Sequence, residues 1–272
     1  MNNLPQLTIE RAKALMGGDL GKAEVEHVSR FVTPIYWVIP QGQGVLAKNG
    51  TLTFLDTGNA IFGVTAAHVI LEYQHDAKIK AGPLQFGIET RIELSERLIA
   101  CDADMDIATL RVTPEEIKAL GKYALGGHAV WPPSPPQPDK GVYYTGFPGA
   151  ARYWERPGLI SFGLMTGGGV ATSVNERDIS SQHERENWVD VRGQGLPPEG
   201  FNYGGLSGGP MITVVEHNGI RRLRLGGLIY QGSNTDGTDQ CIEGMEVIKA
   251  RRADFILEDG RLDRTRWDHL SY

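Results

Sequence analysis

Residues 204–212 read GGLSGGPMI, a serine between glycines that is followed by a proline and then by β-prone residues. A Gly-x-Ser-x-Gly pattern also marks the nucleophile elbow of α/β-hydrolases, in which a helix follows the serine and the histidine comes later in the chain. Here Pro210 and the run MITVV predict a strand after the serine, and the best histidine candidate precedes it. The stretch therefore favours a serine on a turn that leads into a strand of an all-β fold.

Short β-type runs continue on both sides of this stretch, separated by turn residues. The chain of 272 residues contains 35 glycines and 15 prolines, which suits many short strands better than long helices. Two Asn-Gly pairs, Asn49-Gly50 and Asn218-Gly219, are typical of hairpin turns. The runs that we expect to form strands are 31–40, 44–48, 51–58, 61–67, 142–147, 158–165, 188–193, 210–216 and 222–232.

A proline-rich segment divides the β runs into two comparable halves. Residues 131–141 contain five prolines, and so dense a run cannot join the interior of a sheet. Apolar residues at helical spacing predict a short helix over 8–16 and a closing helix over 245–258. We therefore expect an all-β double β-barrel with these units: an N-terminal helical extension (1–29), a first barrel (30–131), a connector (132–141) and a second barrel with a C-terminal helix (142–272).

Composition argues against nucleic-acid and membrane partners. The formal net charge is −6, and the arginines at 221, 222 and 224 have no aromatic platform beside them. No run approaches the roughly 18 apolar residues of a membrane span, and the first residues lack the pattern of a signal peptide. The chain contains two cysteines, Cys101 and Cys241, which we expect to be free thiols in a cytoplasmic protein.

Three segments carry the residue types that acyl transfer needs: TAAHV (65–69), DMDIATL (104–110) and the serine stretch. The reaction uses a hydroxyl nucleophile, an imidazole that takes its proton and a carboxylate that orients the imidazole. It also uses backbone N–H groups aimed at the developing oxyanion, which glycines allow to approach closely. Each segment alone is common in proteins without this chemistry. Together they predict a site in the cleft between the two halves.

The three segments resemble the T-A-A-H, D-I-A-L and G-x-S-G-G-P motifs of the chymotrypsin-like (trypsin-like) serine peptidases. The resemblance implies a double β-barrel of chymotrypsin type over residues 30–258, with the active site between the barrels. By this match His68 is the general base, Asp106 orients it, and Ser207 is the nucleophile. The N–H groups of Gly205 and Ser207 would form the oxyanion hole. Asp104 is the rival for the acid, but the family pattern places the acid directly before Ile-Ala, where only Asp106 stands.

The resemblance also implies a substrate-binding strand and a specificity pocket. The run GGLIYQG (226–232) is similar to the family strand that pairs with the substrate backbone, so Tyr230, Gln231 and Gly232 would hold a peptide by β-addition. Phe201 stands at the pocket floor, which implies an apolar pocket for small or medium uncharged side chains. Leu206 stands where zymogen-activated relatives carry an aspartate that pairs with a new N-terminus, so maturation by that route is not expected.

The chain is similar to the disulfide-free bacterial branch that includes the HtrA-type peptidases, although no PDZ-like domain is expected after the barrels. No cofactor or metal is expected, because the seven histidines are scattered and no His-x-x-x-His or Cys-x-x-Cys pair occurs. The expected function is a serine endopeptidase that hydrolyses a polypeptide substrate, and a regulatory protein partner stays an open question. The alternative is a catalytically inactive pseudoprotease that binds proteins, because fold does not guarantee function.

Overall fold

The computed structural model describes residues 9–42, 44–87, 90–126, 130–217, 220–232 and 245–270. Strands dominate it, and the helices are short. The α-helices are α1 (Ile9–Met16), α2 (Asp19–Ser29), α3 (Ala67–Ala77), α4 (Leu94–Arg97), α5 (Pro114–Ala119) and α6 (Arg264–His269), and 3₁₀ turns occur at Gly149–Ala151, Arg185–Asn187 and Ala253–Phe255.

The first sheet is curled and antiparallel, except that β8 runs parallel to β2. Its strands, in chain order, are β1 (Val32–Gln41), β2 (Gly44–Asp56), β3 (Ile61–Thr65), β4 (Leu84–Phe86), β5 (Thr90–Ile92), β6 (Leu98–Asp102), β7 (Ile107–Arg111) and β8 (Leu125–Gly126). In space the order is β5-β4-β1-β2-β3-β7-β6. Trp37, Phe54 and Phe86 are fully buried in its core.

The second sheet is also curled and antiparallel, in the order β12-β9-β15-β16-β17-β14-β13, and β10 and β11 form a separate hairpin. The strands are β9 (Gly141–Gly146), β10 (Arg152–Arg156), β11 (Leu159–Phe162), β12 (Met165–Val170), β13 (Ser173–Val174), β14 (Asp178–Glu184), β15 (Pro210–His217), β16 (Ile220–Gly232) and β17 (Met245–Arg252). Tyr144, Ile229 and Ile248 are buried in its core.

A third apolar core joins the two sheets. It combines Val64 and Ile107 of the first sheet with Ile212 and Leu228 of the second, and the aromatic side chain of Trp267 in α6 closes it. Burial of apolar surface is the main favourable term in folding, so this shared core holds the two sheets together. The facing ends of β3, β7 and β15 consequently lie at the boundary between the sheets.

This architecture confirms the expected all-β fold with two curled β sheets and the helix near the N-terminus. The expected closing helix over 245–258 is wrong in position. Residues Met245–Arg252 form β17, because Ile248 and Ala250 point to one face of a strand and are buried there. The C-terminal helix is α6, which begins at Arg264 with the Asp263 side chain as its N-cap. Helix α2 was not expected; Gly21, Val25 and Val28 form its buried face.

Two further local expectations are wrong. Asn49-Gly50 is not a turn but lies inside β2, opposite Tyr36 and Ile35 of β1. Residues 188–193 do not form a strand, because the carboxylate of Asp190 accepts hydrogen bonds from the N–H groups of Arg192, Gln194 and Gly195 and closes a loop. The Asn218-Gly219 turn and Cys241 lie outside the described residues.

Candidate active site

His68 and Asp106 are brought together by the pairing of two strands. β3 leads directly into α3, whose first turn carries His68, and β7 begins directly after Asp106. The antiparallel register joins Thr65 of β3 to Ala108 of β7. Because both residues flank this paired end, their side chains meet. The Asp106 Oδ2 atom lies 2.8 Å from Nδ1 of His68, and Asp106 Oδ1 accepts the backbone N–H of His68 at 2.8 Å.

This geometry determines which ring nitrogen of His68 can act as a base. An ionised carboxylate only accepts hydrogen bonds, so the Nδ1 atom facing it carries a proton. In the neutral imidazole the second nitrogen, Nε2, is then an acceptor. The His68 side chain is 46% exposed and the Asp106 side chain 17%, so the acid is covered while the imidazole stays open to a reactant. The pair therefore presents a proton acceptor at the surface of the cleft.

The turn that carries Asp106 is constrained from several directions. Asp106 has a φ of 55°, a conformation that costs energy for a residue other than glycine and is often retained at functional sites. The carboxylate of Asp102 accepts the N–H groups of Asp104 and Met105, both at 3.0 Å. Arg251 of β17 donates from Nε to the Met105 carbonyl at 2.8 Å. The second sheet therefore helps to hold the acid.

Asp104, the rival acid, lies elsewhere. Its carboxylate pairs with Arg264 of α6 at 2.8 Å, and its side chain is 66% exposed. The same guanidinium pairs with Asp102 at 2.8 Å. Burial alone would raise the pKa of Asp102, but the hydrogen bonds from the Met105 N–H and from Arg264 outweigh burial and hold that pKa below its usual range. Asp104 is thus a partner of the C-terminal helix and not of His68.

Ser207 lies on the turn before β15 and contacts β2 of the first sheet. Its carbonyl accepts the N–H of Thr51 in β2 at 2.8 Å. A Cβ atom added to Gly50 would lie 2.7 Å from Cγ2 of Val69 and 3.3 Å from the Ser207 carbonyl. Gly50 therefore allows the serine turn and the residue after His68 to approach the same point of β2.

Gly208 explains how close this contact is. It has a φ of 87°, and an added Cβ would lie 2.2 Å from the Thr51 carbonyl and 2.3 Å from Oγ1 of Thr65. Because Thr65 ends β3, just before the helix of His68, the serine turn packs directly on the base-bearing end of the first sheet. The structure thus brings together His68, Asp106 and the turn of Ser207.

Two backbone N–H groups of this turn are candidates for the oxyanion hole. Within the described residues, neither Gly205 nor Ser207 donates its N–H in a hydrogen bond. The Gly204 carbonyl accepts the N–H of Gly149 at 2.6 Å, and Gly205 has a φ of 97°. In a trans peptide the carbonyl and the following N–H point to opposite sides. The Gly205 N–H therefore points away from Gly149, and the two amides can receive a developing negative charge beside Ser207.

The segment Tyr230–Gly232 continues β16 past the end of β15. β15 begins at Pro210, opposite Leu228, and β17 pairs with Gln231 and Gly232 on the other side. Arg251 lies over the Tyr230 ring, 4.8 Å from its centre. Burial and the neighbouring Asp178 carboxylate raise the pKa of Tyr230 to about 12, so its hydroxyl stays protonated.

Phe201, the expected pocket floor, is half-buried against the second core. Its ring packs edge-on against Tyr203, with the ring centres 5.4 Å apart. A Cβ added to Gly232 would lie 2.7 Å from Cβ of Tyr203. An aromatic pair therefore lies against the end of the segment Tyr230–Gly232, and the lining it provides is apolar and aromatic.

Sequence reasoning missed a polar contact that reaches the serine turn from the first sheet. Asn49 donates from Nδ2 to the Phe147 carbonyl at 2.6 Å, and its Oδ1 accepts Nη1 of Arg152 at 2.8 Å. The only signal in the sequence was the Asn49-Gly50 pair, which was interpreted as a hairpin turn although both residues lie inside β2. Among the described residues, no group of three His, Cys, Asp or Glu side chains could hold a metal ion.

No family model matches the chain, and no curated protein matches it. Among solved structures it is similar to the active form of the Rv3671c protease from M. tuberculosis, at 14% sequence identity and a TM-score of 0.40, covering 83% of this chain and 78% of that chain. It is also similar to a structure concerned with the coupled folding and binding of the intrinsically disordered Sesbania mosaic virus VPg protein. There the identity is 14%, the TM-score 0.43, and the coverage 83% of this chain and 93% of that chain.

Proposed function

We propose that this chain is a serine endopeptidase in which Ser207 is the nucleophile, His68 the general base and Asp106 the residue that orients the base. The observation that supports the proposal is the pair of hydrogen bonds, each 2.8 Å long, by which Asp106 orients His68. A base held in one tautomer next to a glycine-flanked serine is the arrangement that acyl transfer requires.

The reaction runs in two halves. Ser207 Oγ attacks the scissile carbonyl carbon while its proton passes to Nε2 of His68, and the N–H groups of Gly205 and Ser207 stabilise the oxyanion. His68 then gives that proton to the leaving amine as the C–N bond breaks, which leaves an acyl group on Ser207. A water molecule attacks the acyl carbon with His68 as its base. The ester bond breaks, the proton returns to Oγ, and the carboxylic product leaves.

The substrate we propose is a polypeptide in an extended conformation. Tyr230–Gly232 extends past β15, where a peptide can add to the sheet as a further strand. Phe201 and Tyr203 supply an aromatic lining without a charge, which favours small or medium uncharged side chains at the cleavage site. One methylene in such a pocket changes selectivity by only about 1–3 kcal/mol, so preferences among apolar residues are modest. Profiling of cleavage products from a proteome-derived peptide mixture measures them, and dominant cleavage after Lys, Arg, Asp or Glu would contradict this pocket.

The test is labelling by a fluorescent fluorophosphonate, which reacts with a serine that an adjacent base activates. We expect the wild type to be labelled, and Ser207→Ala and His68→Ala to lose the label. Ser173→Ala, which removes an exposed serine of β13, is the matched control and should be labelled like the wild type. A folded wild type that takes no label and cleaves no peptide would instead support the inactive binding module.

A further inference from the structure

The serine turn contains a buried apolar residue, Leu206, directly before Ser207. Leu206 is 1% exposed in the second core and packs against Gly146, where an added Cβ would lie 3.0 Å from Cδ2 of Leu206. An apolar residue at this position cannot pair with a new N-terminal amine. The Gly204–Gly205 peptide, on which one oxyanion donor depends, must be held in its orientation by other contacts.

A series of three short hydrogen bonds reaches that peptide from the first sheet. Arg152 of β10 donates to Oδ1 of Asn49 at 2.8 Å. Asn49 of β2 donates from Nδ2 to the Phe147 carbonyl at 2.6 Å. Two residues later Gly149 donates its N–H to the Gly204 carbonyl at 2.6 Å. The contacts therefore run from the hairpin β10–β11, through β2 and the turn 147–149, to the serine turn.

The contacts oppose a flip of the Gly204–Gly205 peptide. If the peptide rotated, the Gly204 carbonyl would leave the N–H of Gly149 and point toward the space meant for the oxyanion. The surroundings of Gly205 are also tight, because an added Cβ would lie 2.6 Å from the Phe147 carbonyl and 2.9 Å from Nδ2 of Asn49. On the other side, Thr51 Oγ1 donates to the Gly205 carbonyl at 2.9 Å.

The guanidinium of Arg152 donates to a neutral amide oxygen of Asn49. Its side chain is partly buried, and burial lowers the pKa of its guanidinium. The hydrogen bond it makes here goes to a neutral amide oxygen and not to a carboxylate. Partial burial of a guanidinium is unfavourable unless its donors are satisfied. The bond to Oδ1 turns the Asn49 amide so that its NH₂ group faces the Phe147 carbonyl.

We propose that Asn49 and Arg152 are positioning residues that keep the oxyanion hole formed, by holding the turn 147–149 against the Gly204–Gly205 peptide. This inference rests on the proposed peptidase function. The hole is consequently formed without any cleavage of the chain.

The test compares Asn49→Ala, Arg152→Met and the double variant with the wild type. Arg156→Met is the control, since Arg156 lies exposed on the same strand as Arg152. Loss of a whole oxyanion donor lowers kcat by about 10²–10³, so a loosened donor should lower kcat by about tenfold or more with little change in KM. A peptide boronate, which forms a tetrahedral adduct, should bind more weakly by a similar factor. Binding of an intact peptide in the Ser207→Ala background should not change.

The double variant adds a second criterion, because Arg152 acts through Asn49. We expect it to lose no more activity than Asn49→Ala alone, whereas independent residues would give losses that multiply. Asn49→Asp covers the case in which the alanine variant does not fold, since it keeps the size and the contact to Arg152 but cannot donate to Phe147. The inference would be contradicted if the two losses multiply, or if the variants have the same kcat and boronate affinity as Arg156→Met. Neither result would contradict the proposed function. A wild type without label or turnover would contradict the proposed function.

Discussion

Asp106 is the residue at which local conformation and proposed chemistry coincide. Its φ of 55° is rare for a residue with a Cβ, and both of its carboxylate oxygens are engaged by His68. The backbone contact to the His68 N–H fixes the carboxylate plane, and the second oxygen is then in place for Nδ1. The strained turn is stabilised by the contacts that position the carboxylate.

The two candidate acids can be separated by one isosteric change each. In a serine-peptidase triad, replacement of the acid by asparagine lowers kcat by about 10⁴, because the histidine then takes the wrong tautomer. We expect a loss of that order for Asp106→Asn. Asp104→Asn removes only an exposed ion pair with Arg264 and should change kcat by less than about tenfold. Steady-state kinetics with one peptide substrate measure both, and a larger loss for Asp104→Asn would overturn the assignment.

His183 makes the stability of the protein sensitive to acid. It is buried in the second sheet against the Tyr144 ring, opposite Glu246 of β17, and its Nε2 has no hydrogen-bond partner among the described residues. Burial lowers the pKa of His183 to about 4. Between pH 4 and the unfolded value near 6.5, the unfolded chain binds a proton that the folded chain does not, so acid favours unfolding.

We therefore expect the free energy of unfolding to fall by roughly 3 kcal/mol more between pH 7 and pH 4 in the wild type than in His183→Met. Urea unfolding at a series of pH values measures the difference. The control is His269→Met, because His269 is exposed at the end of α6 and should keep the wild-type dependence. An unchanged pH dependence in His183→Met would show that His183 does not remain neutral in the folded chain.

At the scale of elements, the turn of Asp106 depends on the C-terminal part of the chain. Arg251 of β17 lies 4.6 Å from the ring centre of Trp267 in α6 and donates to the Met105 carbonyl. It also pairs with Asp178 of β14 at 2.8 Å. Arg264 of α6 binds Asp102 at the start of the same turn. β17 and α6 thus support the acid from outside the first sheet.

Arg251→Met should be strongly destabilising, because it leaves the partly buried carboxylate of Asp178 without its ion-pair partner and the Met105 carbonyl without its donor. Breaking a buried ion pair costs about 3–5 kcal/mol, and we expect a value near the lower end, since the Asp178 side chain is 25% exposed. Urea unfolding measures the loss. Arg222→Met, which changes an exposed arginine of β16, should stay within about 0.5 kcal/mol of the wild type. Equal stabilities of the two variants would contradict the support that we assign to Arg251.

At the scale of the whole molecule, the candidate site exists only when both sheets are docked. His68 and Asp106 adjoin β3 and β7 of the first sheet, and Ser207 lies on the turn before β15 of the second. The core shared by Val64, Ile212 and Trp267 holds the sheets together. The positions of the domain boundaries within this arrangement stay a prediction. No helix among the described residues is long and apolar enough to cross a membrane.

The redox state of the chain also belongs to this scale. Cys101 has no disulfide partner among the described residues, and burial together with the carboxylates of Asp102 and Asp106 raises its pKa to about 11. Because the thiolate is the reactive form, the folded protein should react slowly with thiol reagents at pH 8 at this position. Titration of the unfolded, unreduced chain should find two thiols, which is our expectation for a cytoplasmic protein. A count of zero would contradict both the free thiols and the proposed location.

The strand pattern and the three motifs could be read from the sequence because both are local. The β-branched and aromatic residues of β1 suit a pleated strand, and the glycines around Ser207 allow close backbone approach. The position of the closing helix could not be read in this way. The apolar residues between 245 and 258 fit both the helical period and the period of a strand. Residues Met245–Arg252 form a strand because β17 pairs with β14 on one side and β16 on the other.

What the sequence by itself determined is therefore the fold class and the residue types of the proposed reaction. The family pattern favoured Asp106 over Asp104 as the partner of His68, and only the tertiary structure gives the contacts: Asp106 bonds His68, whereas Asp104 pairs with Arg264. It also decided the position of Asn49 inside β2, where local rules had predicted a hairpin turn. The physical reason is the same in both cases: the bonded residues are far apart in the chain, 38 positions for His68 and Asp106 and 98 for Asn49 and Phe147, and no local period or spacing predicts such a contact.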